Sequence, residues 1–462
     1  MPTMTRRQFN RALLGSAAAF ALPRMTPAET TPTLVAGQAR VRLAPGDYPE
    51  TEVWAYGGTV PGATIRLPQG GRVTRRFVNE LPQASSVHWH GIRIENAMDG
   101  VAGLTQAAVE PGDDFLYDFT VRDAGTYWYH PHNRSWEQMA RGLSGALIVD
   151  EAEGAPDVDM DEVLLIDDWR MTDRAEIAED FGAIHDWAHA GRIGNWITVN
   201  GDGAWSREVQ AKARLRLRLV NTANARIFSL GAKGLEGWAV ALDGMPLDKP
   251  EPLDRLTLAP AQRVDLLVDV TADDGDEALL VSSERDGDYA LAAFPVRGAA
   301  RTARLAEPGP LPPNPVATLG PLNDARRAEL LMEGGAMGGM RSAMMGGQMM
   351  DMRDMAAAGK VWAFNGMADM DETPFIEADR GETIRIAMTN DTAWPHAMHL
   401  HGHHFHRVAE DGSLGPLRDT LLMDRGETAE IAFVADNPVD WLLHCHMLEH
   451  SAGGMMTWLR VA

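Results

Sequence analysis

Cysteine occurs once in 462 residues. One thiol excludes an intramolecular disulfide and any cysteine-rich metal knuckle. Basic residues are also short, 42 against 65 acidic, for a formal net charge of −23. That balance argues against nucleic acid as a partner and favours small cations. No apolar run reaches the length needed to span a bilayer as a helix. Long amphipathic helices are missing from the first 150 residues as well. Short strands broken by Gly, Pro and Asn run from about Leu34, with alternation at Ala39, Val41 and Leu43 and again at Phe115, Tyr117 and Phe119. That pattern predicts an all-β sandwich or barrel.

What the chain has in excess is ordered histidine. Chance placement of the 15 histidines gives roughly half of one H-x-H pair. Six occur, at 88/90, 130/132, 399/401, 401/403, 404/406 and 444/446. The single cysteine falls inside the last of them. On an extended strand His444 and His446 point one way and Cys445 the other. One thiolate with His450 and Met455 describes a blue-copper electron-transfer centre, and the two flanking histidines serve other metals behind it. The backbone of Cys445 then becomes a short covalent wire between metal sites.

An internal repeat emerges when strands are aligned on one asparagine. The segments 72–79, 213–221 and 382–390 end at Asn79, Asn221 and Asn390. Nine residues later stand His88, Leu230 and His399; eleven later, His90, Ala232 and His401. His130 follows Gly112 by eighteen residues, as His444 follows Gly426. Three related β-domains are therefore expected, near 34–151, 156–300 and 360–462, with the middle one stripped of ligands.

Residues 301–359 stand outside the repeat. A proline-rich stretch, 306–323, reads as an extended linker. Residues 332–355 carry nine methionines (Met332, Met337, Met340, Met344, Met345, Met349, Met350, Met352 and Met355) interrupted by glycine pairs that a core helix rarely tolerates. Thioether sulfur suits Cu(I), and Asp351 and Asp354 add charge. At the other end, Thr5-Arg6-Arg7-Gln8-Phe9 followed by a modest apolar run to Leu22 reads as an export signal over 1–28 and resembles a twin-arginine signal.

The four histidine segments, 88–90, 130–132, 396–401 and 444–455, together resemble those of the multicopper oxidase family over essentially the whole mature chain. The resemblance implies three cupredoxin-like Greek-key domains and four copper ions. It places type 1 copper on His396, Cys445, His450 and Met455. Type 2 copper falls to His88 and His399. The type 3 pair takes His90, His130, His132, His401, His444 and His446. The implied reaction is one-electron oxidation of a reductant at type 1 copper, coupled to reduction of O2 to water. Asp99, eleven residues after His88, takes a proton-relay role alongside the catalytic Cys445. Ser451 stands where related oxidases often carry a carboxylate, which leaves the second proton route open. Asp419, by the same resemblance, lies close to type 1 copper and accepts an arriving cation. With Met349, Met350, Asp351, Met352, Asp354 and Met355 it forms the expected Cu(I) substrate set.

His185, His189, His403, His404 and His406 are expected to be structural. The favoured reading is a monomeric periplasmic cuprous oxidase serving copper tolerance, with O2 and Cu(I) or small organic reductants as its partners. A laccase-like oxidase of phenols is the alternative, and a non-enzymatic copper-binding or envelope scaffold protein the weaker third.

Overall fold

The computed structural model describes residues 31–284 and 287–462. The expected export signal lies outside them. From Thr33 onward the chain is built of β-strands joined by short connections, with a few single-turn helices.

The repeated asparagine marks the same place three times. Strands Arg72–Asn79, Arg214–Asn221 and Thr383–Asn390 each run parallel to an earlier strand: Thr33–Val41, Met160–Trp169 and Arg326–Gly334. Each is also antiparallel to a later one: Asp114–Thr120, Arg263–Val270 and Thr428–Val434. The asparagines are fully buried. Each side-chain amide donates to backbone carbonyls on both sides of the turn, and its oxygen accepts the N–H two residues on. An Asn there ends the strand and satisfies the turn that follows, because its short amide mimics a backbone unit.

Each of these sheets is accompanied by a second one, and the histidines ride on the second sheets. His88–His90 pairs with Gly125–His130, setting His88 opposite His130. His396–Leu400 pairs with Val439–Cys445, setting His399 opposite His444 and Met398 opposite Cys445. In the middle copy Leu230 faces Ser282 at the equivalent register. The apolar cores of the first and third sheet pairs merge into one cluster, while the middle pair keeps its own.

The middle copy is anchored by charge. On Arg214–Asn221 the leucines face its core and the arginines face the other way, as period two requires. Arg216 and Arg218, both buried, share Asp265 at 2.7 and 3.1 Å, and Arg218 reaches Thr126 of the first copy at 3.2 Å. Removing one member of a buried ion network leaves uncompensated charge. Asp265→Ala is therefore expected to destabilise the protein by about 3–5 kcal/mol. Denaturant unfolding would read this; a loss within about 1 kcal/mol, the value of an exposed pair, would contradict it.

The stretch expected to be linker and insert is more ordered than its composition implies. Asn314 is pinned to the backbone of Ala124 by two hydrogen bonds of 2.8 Å. Strand Arg326–Gly334 belongs to the third copy's sheet, so that copy begins well before residue 360. The correction has a simple cause: Leu330 and Met332 alternate onto the core, and so short an alternation does not expose period two against a methionine-rich background. Ser342–Met345 and Gln348–Asp351 then form a hairpin. Its turn is Gly346-Gly347, both at positive φ, the geometry that favours paired glycines. Asp351 caps the helix Met352–Ala357, accepting from the N–H groups of Arg353 and Asp354.

Candidate metal centres

Around Cys445 the two expected histidines converge. The Sγ atom lies 3.6 Å from His396 Nδ1 and 3.9 Å from His450 Nδ1, and the two nitrogens are 3.0 Å apart. This is a compact triangle of two nitrogens and one sulfur. The other ring nitrogens have partners that fix the tautomer: His396 Nε2 bonds Thr392 Oγ1 at 2.8 Å, and His450 Nε2 donates to the His189 carbonyl at 2.6 Å. Both Nδ1 lone pairs are thereby left facing the sulfur. Met455 is fully buried; its N–H bonds the His450 carbonyl and its carbonyl accepts from Cys445 N. The Trp362 ring flanks both imidazoles, at 5.1 and 4.5 Å between centroids. Burial pushes the Cys445 thiol up to about 12 and the His450 imidazolium down to about 4. Both shifts arise from desolvation, and a bound cation would reverse the first.

The other eight histidines form one largely buried group where the first and third copies meet. His132, His401 and His444 make one triad, with His401 Nε2 3.1 Å from His444 Nε2. In a second set, His130 Nε2 lies 3.4 Å from both His90 Nδ1 and His446 Nε2. His88 and His399 complete the group, 5.9 Å apart between ring centroids. Their outward nitrogens are occupied: His88 Nδ1 donates to the Asp99 carbonyl at 2.8 Å and His399 Nδ1 to the Asp419 carbonyl at 3.0 Å. Their inward Nε2 atoms are buried without any hydrogen-bond partner. Orphaned, desolvated nitrogens that converge on one another are the donor set a metal requires. Desolvation and neighbouring imidazoles hold His130, His132, His401, His444 and His446 well below their usual range, so their lone pairs stay free.

Cys445 connects the two centres. Its peptide runs directly into His444 and His446, and its carbonyl accepts from His444 Nδ1 at 2.9 Å.

Asp99 is buried, its Oδ2 2.9 Å from His401 Nδ1 and its Oδ1 3.3 Å from His88 Nδ1 without a hydrogen bond. Ser451 Oγ stands 3.2 Å from His444 Nδ1. The strand ends at Cys445 and a helical turn, Leu448–Ala452, carries Glu449 inward to Asn224 at 2.9 Å.

Asp419 requires correction. It is wholly buried at the eight-histidine group, where Arg263 holds it at 2.6 and 2.8 Å, and not at a surface near the thiol. A carboxylate so enclosed does not receive an arriving cation. The methionine set divides as well. Met355 belongs to the core with Met332, Met350 and Met352 are half-buried, and Met349 is 65% exposed. Asp351 is a helix cap, and Asp354 is exposed in the same helix's first turn. Met337, at 77% exposure, is the most open of the large apolar side chains among the described residues.

His403 and His404 are buried and bonded to backbone, and His406 is half-buried, bonding the Gly415 carbonyl. His185 and His189 stack at 4.1 Å, and the His189 carbonyl is the acceptor for His450. Sequence reasoning missed Thr392, Trp362 and Arg263. No local pattern marks them; two residues past the repeated asparagine the three copies carry Leu81, Ala223 and Thr392.

A buried thiol and two imidazoles, wired to eight further converging imidazoles, define a copper-dependent oxidase. Comparison with known proteins agrees: residues 39–154, 161–295 and 344–462 each match a family described as multicopper oxidase. The chain belongs to the multicopper oxidase family, and its fold is three-fold cupredoxin-like. It is similar to Lac15 from a marine microbial metagenome, at 41% identity over 93% of this chain and 100% of that one, with a TM-score of 0.76. It is also similar to multicopper oxidase MmcO of Mycobacterium tuberculosis, at 29% identity over 93% of this chain and 86% of the relative. Copper resistance protein A of Pseudomonas syringae pv. tomato is 25% identical over 88% of this chain and 89% of the relative.

Proposed function

We propose that this oxidase is exported to the periplasm and oxidises Cu(I), protecting the cell envelope from copper. Four coppers are assigned: type 1 on His396, Cys445, His450 and Met455; type 2 on His88 and His399; and a type 3 pair on His90, His130 and His446 and on His132, His401 and His444. The metal, when bound, supplies one-electron redox chemistry and the site for O2. The residues supply the rest. His450 presents the thiol site to the surface through the His189 carbonyl. Cys445 carries electrons by bonds and one hydrogen bond to His444. Four electrons and four protons convert one O2 to two waters, and the Asp99 carboxylate, bonded to His401, is the proton-relay group for that reduction. The domain boundaries, with the third copy beginning near Arg326, belong to the same reading.

One observation carries the substrate choice. The methionine-bearing segment packs over the thiol site: Ala336 N donates to Ala188 O at 2.6 Å, and Trp394 Nε1 donates to Ala336 O at 3.1 Å. Met337 follows directly. Those bonds tether the segment carrying exposed Met337 to the elements of His189 and His396, which supports a soft cation as substrate, and the acidic chain attracts cations. A relative named for copper resistance favours the same choice.

The test keeps the fold. Cutting out 332–355 would remove buried Met332 and Met355, so Met337, Met344, Met345, Met349 and Met350 are replaced together by leucine, which preserves volume. Cu(I)-dependent oxygen uptake is expected to fall at least about tenfold, the lower end for loss of a metal-binding contact. Phenol oxidation should hold or rise. Unchanged Cu(I) turnover would transfer the assignment to a laccase-like oxidase.

A further inference from the structure

Two aspartates at the eight-histidine group are used in mirrored ways. Asp99, from the first copy, accepts from His88 of its own copy with its carbonyl and from His401 of the third with its carboxylate. Asp419, from the third copy, accepts from His399 of its own copy with its carbonyl at 3.0 Å. Its carboxylate accepts from His90 of the first copy at 3.3 Å. Each therefore orients one ligand on either side of the interface.

The two differ in what faces their oxygens. Asp99 Oδ1 lies 3.3 Å from His88 Nδ1, whose hydrogen bond goes to the Asp99 carbonyl, and itself makes no hydrogen bond. Asp419 has both oxygens engaged: Arg263 Nη1 and Thr420 Oγ1 on Oδ1, at 2.8 and 2.7 Å, and Arg263 Nη2 on Oδ2 at 2.6 Å. Arg263 comes from the middle copy, which supplies no histidine to the group. The guanidinium packs against Gly91, next to His90, where φ is +85° and any Cβ would fall on Arg263.

We infer that Asp419 is a positioning residue for the trinuclear site, locked by Arg263 into accepting the His90 Nε2 proton so that Nδ1 faces the metal. The middle copy thereby contributes to oxygen chemistry without contributing a ligand. With donors on both carboxylate oxygens, Asp419 is held in place. This rests on reading the eight histidines as copper ligands.

The first measurement needs neither variant nor metal. In the copper-free protein labelled with 15N-histidine, His90, assigned by comparison with His90→Gln, is expected as the Nε2–H tautomer. Protonation at Nδ1 instead would overturn the inference. Two variants follow. Asp419→Ala removes the acceptor, and Asp419→Asn keeps one acceptor oxygen. Both weaken the Arg263 pairing, so both should lower thermal stability. Only the alanine variant should lose the near-ultraviolet band of the coupled copper pair and bind copper at the histidine group about 10–100-fold more weakly, a typical outer-shell loss, with the blue band kept. Equal spectra and copper content in the two variants would reduce Asp419 to a structural anchor and sink the proposal. Absence of copper from the wild-type histidine group would instead count against the ligand assignment, and the tautomer measurement would still decide for Asp419.

Discussion

Cys445→Ser is expected to abolish the blue absorption and to cut oxygen consumption more than about a hundred-fold, beyond the 10–100-fold typical of changes around a metal's ligands. Two losses combine. The triangle exchanges its sulfur for oxygen, and a serine hydroxyl does not supply the soft anionic donor that shapes a blue-copper site. The electron route also loses its first atom, since the only thiol stands between His444 and His446. The fold should survive, because serine is smaller and its hydroxyl stays within reach of the His396 and His450 Nδ1 atoms and the Met447 N–H that face the sulfur. Circular dichroism would check the fold, visible absorption the thiol site, and oxygen uptake the coupling. Retained oxygen consumption would remove the wire from the account.

Asp99→Asn is expected to slow oxygen turnover by about 10–100-fold while leaving copper content and the blue band intact. The amide oxygen can keep the bond to His401 Nδ1, and the amide nitrogen takes the place of Oδ1, which makes no hydrogen bond because the nearby His88 Nδ1, at 3.3 Å, donates to the Asp99 carbonyl instead. Orientation is therefore preserved. What disappears is a carboxylate able to accept and return a proton, which an amide does not do near neutral pH. Stopped-flow reduction of the thiol site should be unchanged and reoxidation by O2 slowed. If the reduction step slows as well, the residue acts on architecture and not on proton supply.

The contrast between these two sites shows which parts of the centre were legible. The wire was legible because it is local: three consecutive residues on a strand alternate faces, so thiol and imidazoles separate by geometry alone. Four candidate ligands were legible because the repeat put histidines at matching offsets from Asn79 and Asn390, and His130 and His444 because each follows a glycine, Gly112 or Gly426, by eighteen residues. Thr392 had no such signal, since Leu81 and Ala223 stand at its place in the other copies. The methionine segment misled in both directions. Glycine pairs signalled looseness, yet two of them serve a hairpin turn and a close approach beneath Trp362. Thioether signalled a ligand, yet Met332 and Met355 fill core, which is the ordinary use of methionine.

Asp419 marks the boundary most clearly. Its position twenty residues after His399 is visible in the chain, and its burial against Arg263, 156 residues away, is not. Residue types and their spacing determined by themselves that this protein is all-β, binds copper and joins a thiol to paired imidazoles, since strand periodicity converts spacing into shared faces. Only the folded chain decided which imidazoles group together, which acceptors set their tautomers and which carboxylate remains free. Those outcomes depend on contacts between copies hundreds of residues apart, such as His401 with Asp99 at a separation of 302, and no local pattern encodes them.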